Sequence, residues 1–154
     1  MRATACAAAI VLSIAGASFA QTSKPPAAGA RDACSLLTKE DAAAALGEAV
    51  EGPRNTAKPN GPSSCEYTGS GLHKVHLNVI PFTAETATMY KAMCAQKNQQ
   101  GLTGLGDIAC WYNDKHAELQ MLKGLTFYSI EFRGNGDPTE AIKGVAKKVN
   151  DRVK

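Results

Sequence analysis

Side chains that could do chemistry are few in this chain: five cysteines and three histidines among 154 residues. A cysteine can be a nucleophile, a redox centre or a zinc ligand, and a histidine a base or a metal ligand. The spacing argues against most of these roles. No two cysteines form the C-x-x-C pair of a thioredoxin-like centre or a zinc ribbon. The G-x-S-x-G signature of a serine nucleophile is missing. His73 and His76 are an odd number of residues apart, so strand alternation sends them to opposite faces. The stretch from Gly101 to Gly106 lacks the Lys-Ser/Thr of a phosphate loop, and Asp107 follows it, so it reads as a turn.

Compartment decides what the cysteines do. Met1 and Arg2 form a short positive end, Ala3 to Ala17 is small and apolar, and Ser18-Phe19-Ala20 fits signal-peptidase cleavage. The apolar run is too short for a stable membrane span of ~20 residues. Residues 1–20 are thus expected to be a cleaved signal peptide, with Gln21 as the mature start. Cys6 leaves with it and no lipid-anchor cysteine remains, so a periplasmic or secreted chain without a membrane anchor is expected. The formal net charge of +3 falls by one when Arg2 is lost, which excludes the basic stripe of a nucleic-acid binder. Cys34, Cys65, Cys94 and Cys110 remain, an even set that an oxidising compartment would keep as two disulfides. Spacing alone leaves three pairings open.

The elements that hold these residues are legible in outline. Residues 21–31, with Pro25, Pro26 and small polar residues, read as a flexible leader; 32–154 is the size of one domain. Helix one starts at Thr38 as N-cap, with Asp41 reaching back, and ends at Gly47. Residues 52–62 read as a long loop. "CEYTG" and "VHLNVI" alternate as strands, Val75, Leu77 and Val79 sharing a face. Helix two runs from about Ala84 to Gln99 behind Thr83, with Ala87, Tyr90 and Cys94 on one stripe. "IACWYN", "HAELQML" and "LTFYSIEFR" follow as strands, joined by two-residue turns at Asn113-Asp114 and Lys123-Gly124. The last helix begins at Asp137 as N-cap with Pro138 behind it, and buries Ile142, Val145, Val149 and Val153. Lys143, Lys147, Lys148 and Arg152 read as its solvated face. The order α-β-β-α-β-β-β-α predicts an α+β domain, an antiparallel sheet of about five strands with helices packed on it.

Those turns predict a register. Ile108, Cys110, Tyr112, Ala117, Leu119, Met121, Tyr128, Ile130 and Phe132 fall on one face, the expected core. Cys94 on the buried helix stripe would then meet Cys110. Trp111, His116, Glu118, Gln120, Phe127, Ser129 and Glu131 fall on the other face. Two aromatics among carboxylates and a histidine suggest a ligand platform formed by Trp111, His116, Glu118, Phe127, Ser129 and Glu131. An ordinary wetted sheet face fits the same pattern. A metal held by His116, Glu118 and Glu131 is conceivable, but that donor set is poor for zinc.

Three segments carry a resemblance. "CSLLTKEDAAAALG" (34–47), "SSCEY" (63–67) and "GLTGLGDIACW" (101–111) resemble a family of small exported cell-envelope domains of unknown function, many of them actinobacterial-type lipoproteins. The resemblance implies the same α+β layout and a disulfide between Cys34 and Cys65. Its membrane tether does not carry over, because the anchoring cysteine is absent here. These readings favour a non-enzymatic, disulfide-stabilised binding domain of the cell envelope, with no cofactor and an unknown small molecule or envelope protein as partner. A small periplasmic hydrolase or metal-dependent enzyme using the polar face is the alternative. A structural or inhibitory envelope protein is the third.

Overall fold

A computed structural model describes residues 31–153. The expected signal peptide, residues 1–20, and all of the expected leader except Arg31 lie outside the described residues. The chain runs α1 (Ala33–Leu36), α2 (Lys39–Leu46), β1 (Glu51–Ala57), β2 (Ser63–Thr68), β3 (Lys74–Pro81), α3 (Ala84–Cys94), β4 (Ile108–Trp111), β5 (Glu118–Lys123), β6 (Thr126–Arg133) and α4 (Thr139–Arg152). The six strands form one antiparallel sheet in the order β1-β2-β3-β6-β5-β4. The α+β architecture is therefore as expected, with one more strand and one more short helix.

Local signals set most of the boundaries. Thr38 Oγ1 accepts the Asp41 N–H and Asp41 Oδ2 accepts the Thr38 N–H, which completes a capping box at the start of α2. Gly47 closes that helix at φ 70°, a conformation that costs glycine nothing. Thr83 caps α3 as expected, but the helix stops at Cys94 and the chain turns from there to Gln100. α4 starts two residues after Asp137, whose Oδ1 still accepts the Thr139 N–H at 2.9 Å. Strand β1 replaces the expected loop. Its sequence EGPRNTA has low strand propensity and every residue is exposed, so pairing with β2, aided by an Asn55 Nδ2 hydrogen bond to Asp32 Oδ1 at 3.1 Å, holds it as an edge strand.

Helices cover the two faces unequally. α1, α2 and α4 pack on the first face over Cys65, Tyr67, Val75, Leu77, Val79, Leu119, Met121, Tyr128, Ile130 and Phe132. Ile142, Val145 and Val149 of α4 join this core, each buried apolar side chain contributing ~1.5–3 kcal/mol. On the second face α3 alone packs, with Ala87, Tyr90 and Cys94 against Ile80, Phe82, Ile108, Cys110, Leu122 and Phe127. Phe127 stacks on Phe82 at 5.0 Å and meets Tyr90 edge-on at 5.1 Å. Both disulfides form: Cys34–Cys65 ties α1 to β2 and Cys94–Cys110 ties the end of α3 to β4, with Cα separations of 5.0 and 5.6 Å.

The β4–β5 register corrects the sequence reading. Trp111 pairs with Leu119 and Cys110 with Gln120, because residues 112–117 make a wider connection than a two-residue turn. That difference is odd, so every side chain of β4 changes face. Ala109 and Trp111 enter the main core, while Ile108 and Cys110 face α3 and Tyr112 is exposed. The β5–β6 turn sits at Gly124-Leu125, one residue later than expected. This moves the register by two, and Leu119, Met121, Tyr128, Ile130 and Phe132 keep their predicted face.

Candidate functional site

Because α3 lies over only one end of the second face, the rest of that face is left half-buried or exposed, apart from Ser129, Gln120 and Cys110, which are buried. Strand pairing arranges it in rows. The outer row runs Arg54, Glu66, His76, Glu131, Glu118 across β1, β2, β3, β6 and β5. Tyr112 extends it, its N–H donating to the Glu118 carbonyl at 3.0 Å. The inner row runs Thr56, Ser64, Asn78, Ser129, Gln120, Cys110. α3 then packs over Phe127, Leu122 and Ile108, with Ile80 half-buried at its edge. Lys91 on one flank of α3 approaches Asp107 at 3.6 Å, which turns the opposite flank, with exposed Met89 and Met93, toward the uncovered rows.

The rows are cross-braced. Glu118 Oε1 accepts from Ser129 Oγ at 2.7 Å and from Gln120 Nε2 at 2.9 Å, and both donors belong to buried residues. Burial pushes the neighbouring Tyr90 hydroxyl well above its ordinary pKa, and the Glu118 charge adds to the effect. Lys74 Nζ donates to Glu66 at 3.0 Å and lies 3.8 Å from Glu131, and Glu131 also meets His76 and Arg133. The Lys74 hydrogen bond outweighs partial burial and holds the Glu66 carboxyl below its usual range. Each carboxylate has a partner, so this floor is ordered before anything binds it.

The structure divides the predicted platform. Glu118, Phe127, Ser129 and Glu131 do share the second face, with Phe127 under α3. Trp111 does not join them: it is 1% exposed in the main core. His116 has φ 52° and lays its ring on the Trp111 indole, 4.5 Å between centroids, rather than beside Glu131. A His116–Glu118–Glu131 cluster is therefore not assembled. Among the described residues no group of three or more His, Cys, Asp or Glu is placed to hold a metal. Ser70, His73 and Glu48 do meet, but the Ser70 hydroxyl donates to Glu48 at 2.6 Å and His73 Nδ1 bonds the same carboxylate at 2.7 Å. Both side chains end on the acid, so this contact fastens the β2–β3 turn to the end of α2 and supplies no activated serine. Those bonds hold the Glu48 carboxyl below its usual range.

Sequence reasoning missed Glu66, Lys74, His76 and Asn78. The alternation of "VHLNVI" had placed His76 and Asn78 opposite the apolar face of β3. Nothing local to the sequence told that β3 pairs with β6, which is what brings them beside Ser129 and Glu131.

No protein-family model, curated protein or solved structure matches the chain. Among the described residues, no helix is long and apolar enough to cross a membrane.

Proposed function

We propose that this chain is an exported, non-enzymatic binding domain of the cell envelope, of the kind it resembles, acting in the periplasm or outside the cell. The observation that carries this reading is the uncovered, cross-braced half of the second sheet face, bordered by the stapled helix α3. Its hydrogen-bonding groups span the sheet and are fixed by one another, which lowers the ordering cost of engaging a partner. Met89 and Met93 add adaptable apolar surface along its border. Two disulfides suit a domain that must keep this shape in an oxidising compartment.

A photo-crosslinking side chain at position 76, on the uncovered face, tests this against one at position 147, on the exposed side of α4. With the envelope fraction of the native cell, the expected result is a discrete adduct from position 76 and none from position 147. Adducts of equal yield from both positions, or from 147 alone, would overturn it.

A further inference from the structure

One end of the uncovered face deepens into a cleft of about 530 Å³ between the β1–β2 hairpin and β3. That lies within the ~300–1,000 Å³ of small-molecule sites. Its lining has an unusual balance of hydrogen-bonding groups. Thr56 Oγ1 and Ser64 Oγ are 2.6 Å apart, so one hydroxyl hydrogen lies between them and the other is left to donate elsewhere. Half-buried Asn78 makes no side-chain hydrogen bond among the described residues, and its amide sits in the cleft wall. Lys58, at the rim, has no carboxylate partner among them either. No aspartate or glutamate lines the space, and Pro62 and Ile80 supply apolar contact.

A spare hydroxyl donor, an amide and an ammonium, the last two without a side-chain partner among the described residues, thus line one cleft that has no acid in its wall. We infer that the cleft takes a small organic carboxylate carrying a short aliphatic body. The carboxylate oxygens would accept from Lys58, Asn78 and the Thr56/Ser64 pair, and the aliphatic part would lie on Ile80 and Pro62. The inference rests on the open-face reading and assigns a ligand class to one end of it. A free aliphatic acid and the C-terminus of a peptide share this chemistry.

The test is NMR titration of the full-length protein with hexanoate, hexanol, hexylammonium and N-acetyl-leucine, alongside Lys58→Gln and Asn78→Ala. Among the described residues neither side chain has a partner to orphan, so both variants should melt with the wild type. Hexanoate or N-acetyl-leucine should shift the Asn78 side-chain amide and the backbone signals of Thr56 and Ser64. Hexylammonium should not, and hexanol should do so more weakly. Lys58→Gln should weaken the acid by about tenfold, as expected for a charge-assisted contact, and leave hexanol unchanged. Tighter binding of N-acetyl-leucine would support a peptide C-terminus as the source, and tighter hexanoate a free acid. Equal shifts from all four probes, no shift from any, or an unchanged acid affinity in Lys58→Gln would overturn the inference. The cross-link at position 76 reads the wider face independently, so the two readings can fail separately.

Discussion

The imidazole of His116 lies nearly parallel to the indole of Trp111, with 4.5 Å between centroids and 21° between planes. Its hydrogen bonds fix how the ring is turned. Asn98 Oδ1 accepts the Gln100 N–H at 2.9 Å, which turns Asn98 Nδ2 toward His116 Nε2 at 3.3 Å. An amide nitrogen only donates, so Nε2 must accept, and Nδ1 carries the proton that goes to Thr139 Oγ1 at 3.1 Å. The ring thus bridges Asn98 to Thr139 at the start of α4.

Trp111 is therefore expected to emit as a buried tryptophan. Trp111→Ala should cost ~3–5 kcal/mol as a core aromatic. His116→Ala removes the ring stacked on the indole and should shift the emission toward the red. Red-shifted emission from the wild type would show that the stack does not form.

How legible this was depended on parity. Helix starts at Thr38 and Thr83 and the apolar stripe of α4 are set by contiguous residues, so sequence was enough for them. The faces of β5 and β6 survived a misplaced turn because the shift was even. Those of β4 did not, because the connection after Trp111 bends through His116 at positive φ, which a non-glycine residue rarely signals in advance. β1 was hidden for another reason: it has no apolar face, and pairing with its partner makes it a strand. The same long-range pairing assembled the charged row, so half of the candidate platform could be read and its other half on β2 and β3 could not.

Glu118 is expected to be the keystone of the uncovered floor. Glu118→Ala removes the acceptor of two donors, Ser129 Oγ and Gln120 Nε2, on residues that are only 7 and 8% exposed. Leaving them unpaired should cost about 1–3 kcal/mol, whereas Ser129→Ala, which removes one donor, should cost about 1. A double-mutant cycle by urea unfolding should show that the two losses are not additive. Additive losses would mean that the two side chains do not act as one unit.

The two disulfides should differ in reach. They close spans of 31 and 16 residues, so serine replacement of either pair should cost about 3–4 kcal/mol, slightly more for Cys34–Cys65. Hydrogen exchange separates them. Loss of Cys94–Cys110 should deprotect α3, which packs through only a small satellite cluster, and leave β2 and α4 slow. Uniform deprotection would show that α3 is part of the global cooperative unit.

Asp41 should make the domain acid-sensitive. It is a buried carboxylate between Arg152 and Lys148, its N–H and Oδ2 both engaged with Thr38. Burial pushes its pKa up, but the bonds from Arg152, Lys148 and Thr38 together outweigh that and bring it from 3.8 to about 2. A folded value below the unfolded one gives stability that is fully present above about pH 4 and disappears as the pH falls toward 2. At 1.36 kcal/mol per unit the contribution is about 2 kcal/mol. Asp41→Asn removes the charge and leaves the Arg152 guanidinium with the Leu36 carbonyl as its remaining partner on the α1–α2 side, at 2.7 Å. The cost near neutral pH should be at least about 2 kcal/mol, since the partner cation is half-buried. The decisive measurement is the slope of unfolding free energy between about pH 4 and 2: it should flatten in Asp41→Asn relative to the wild type. If the variant melts with the wild type at neutral pH, or retains the same acid slope, the carboxylate is not what holds α2 against α4.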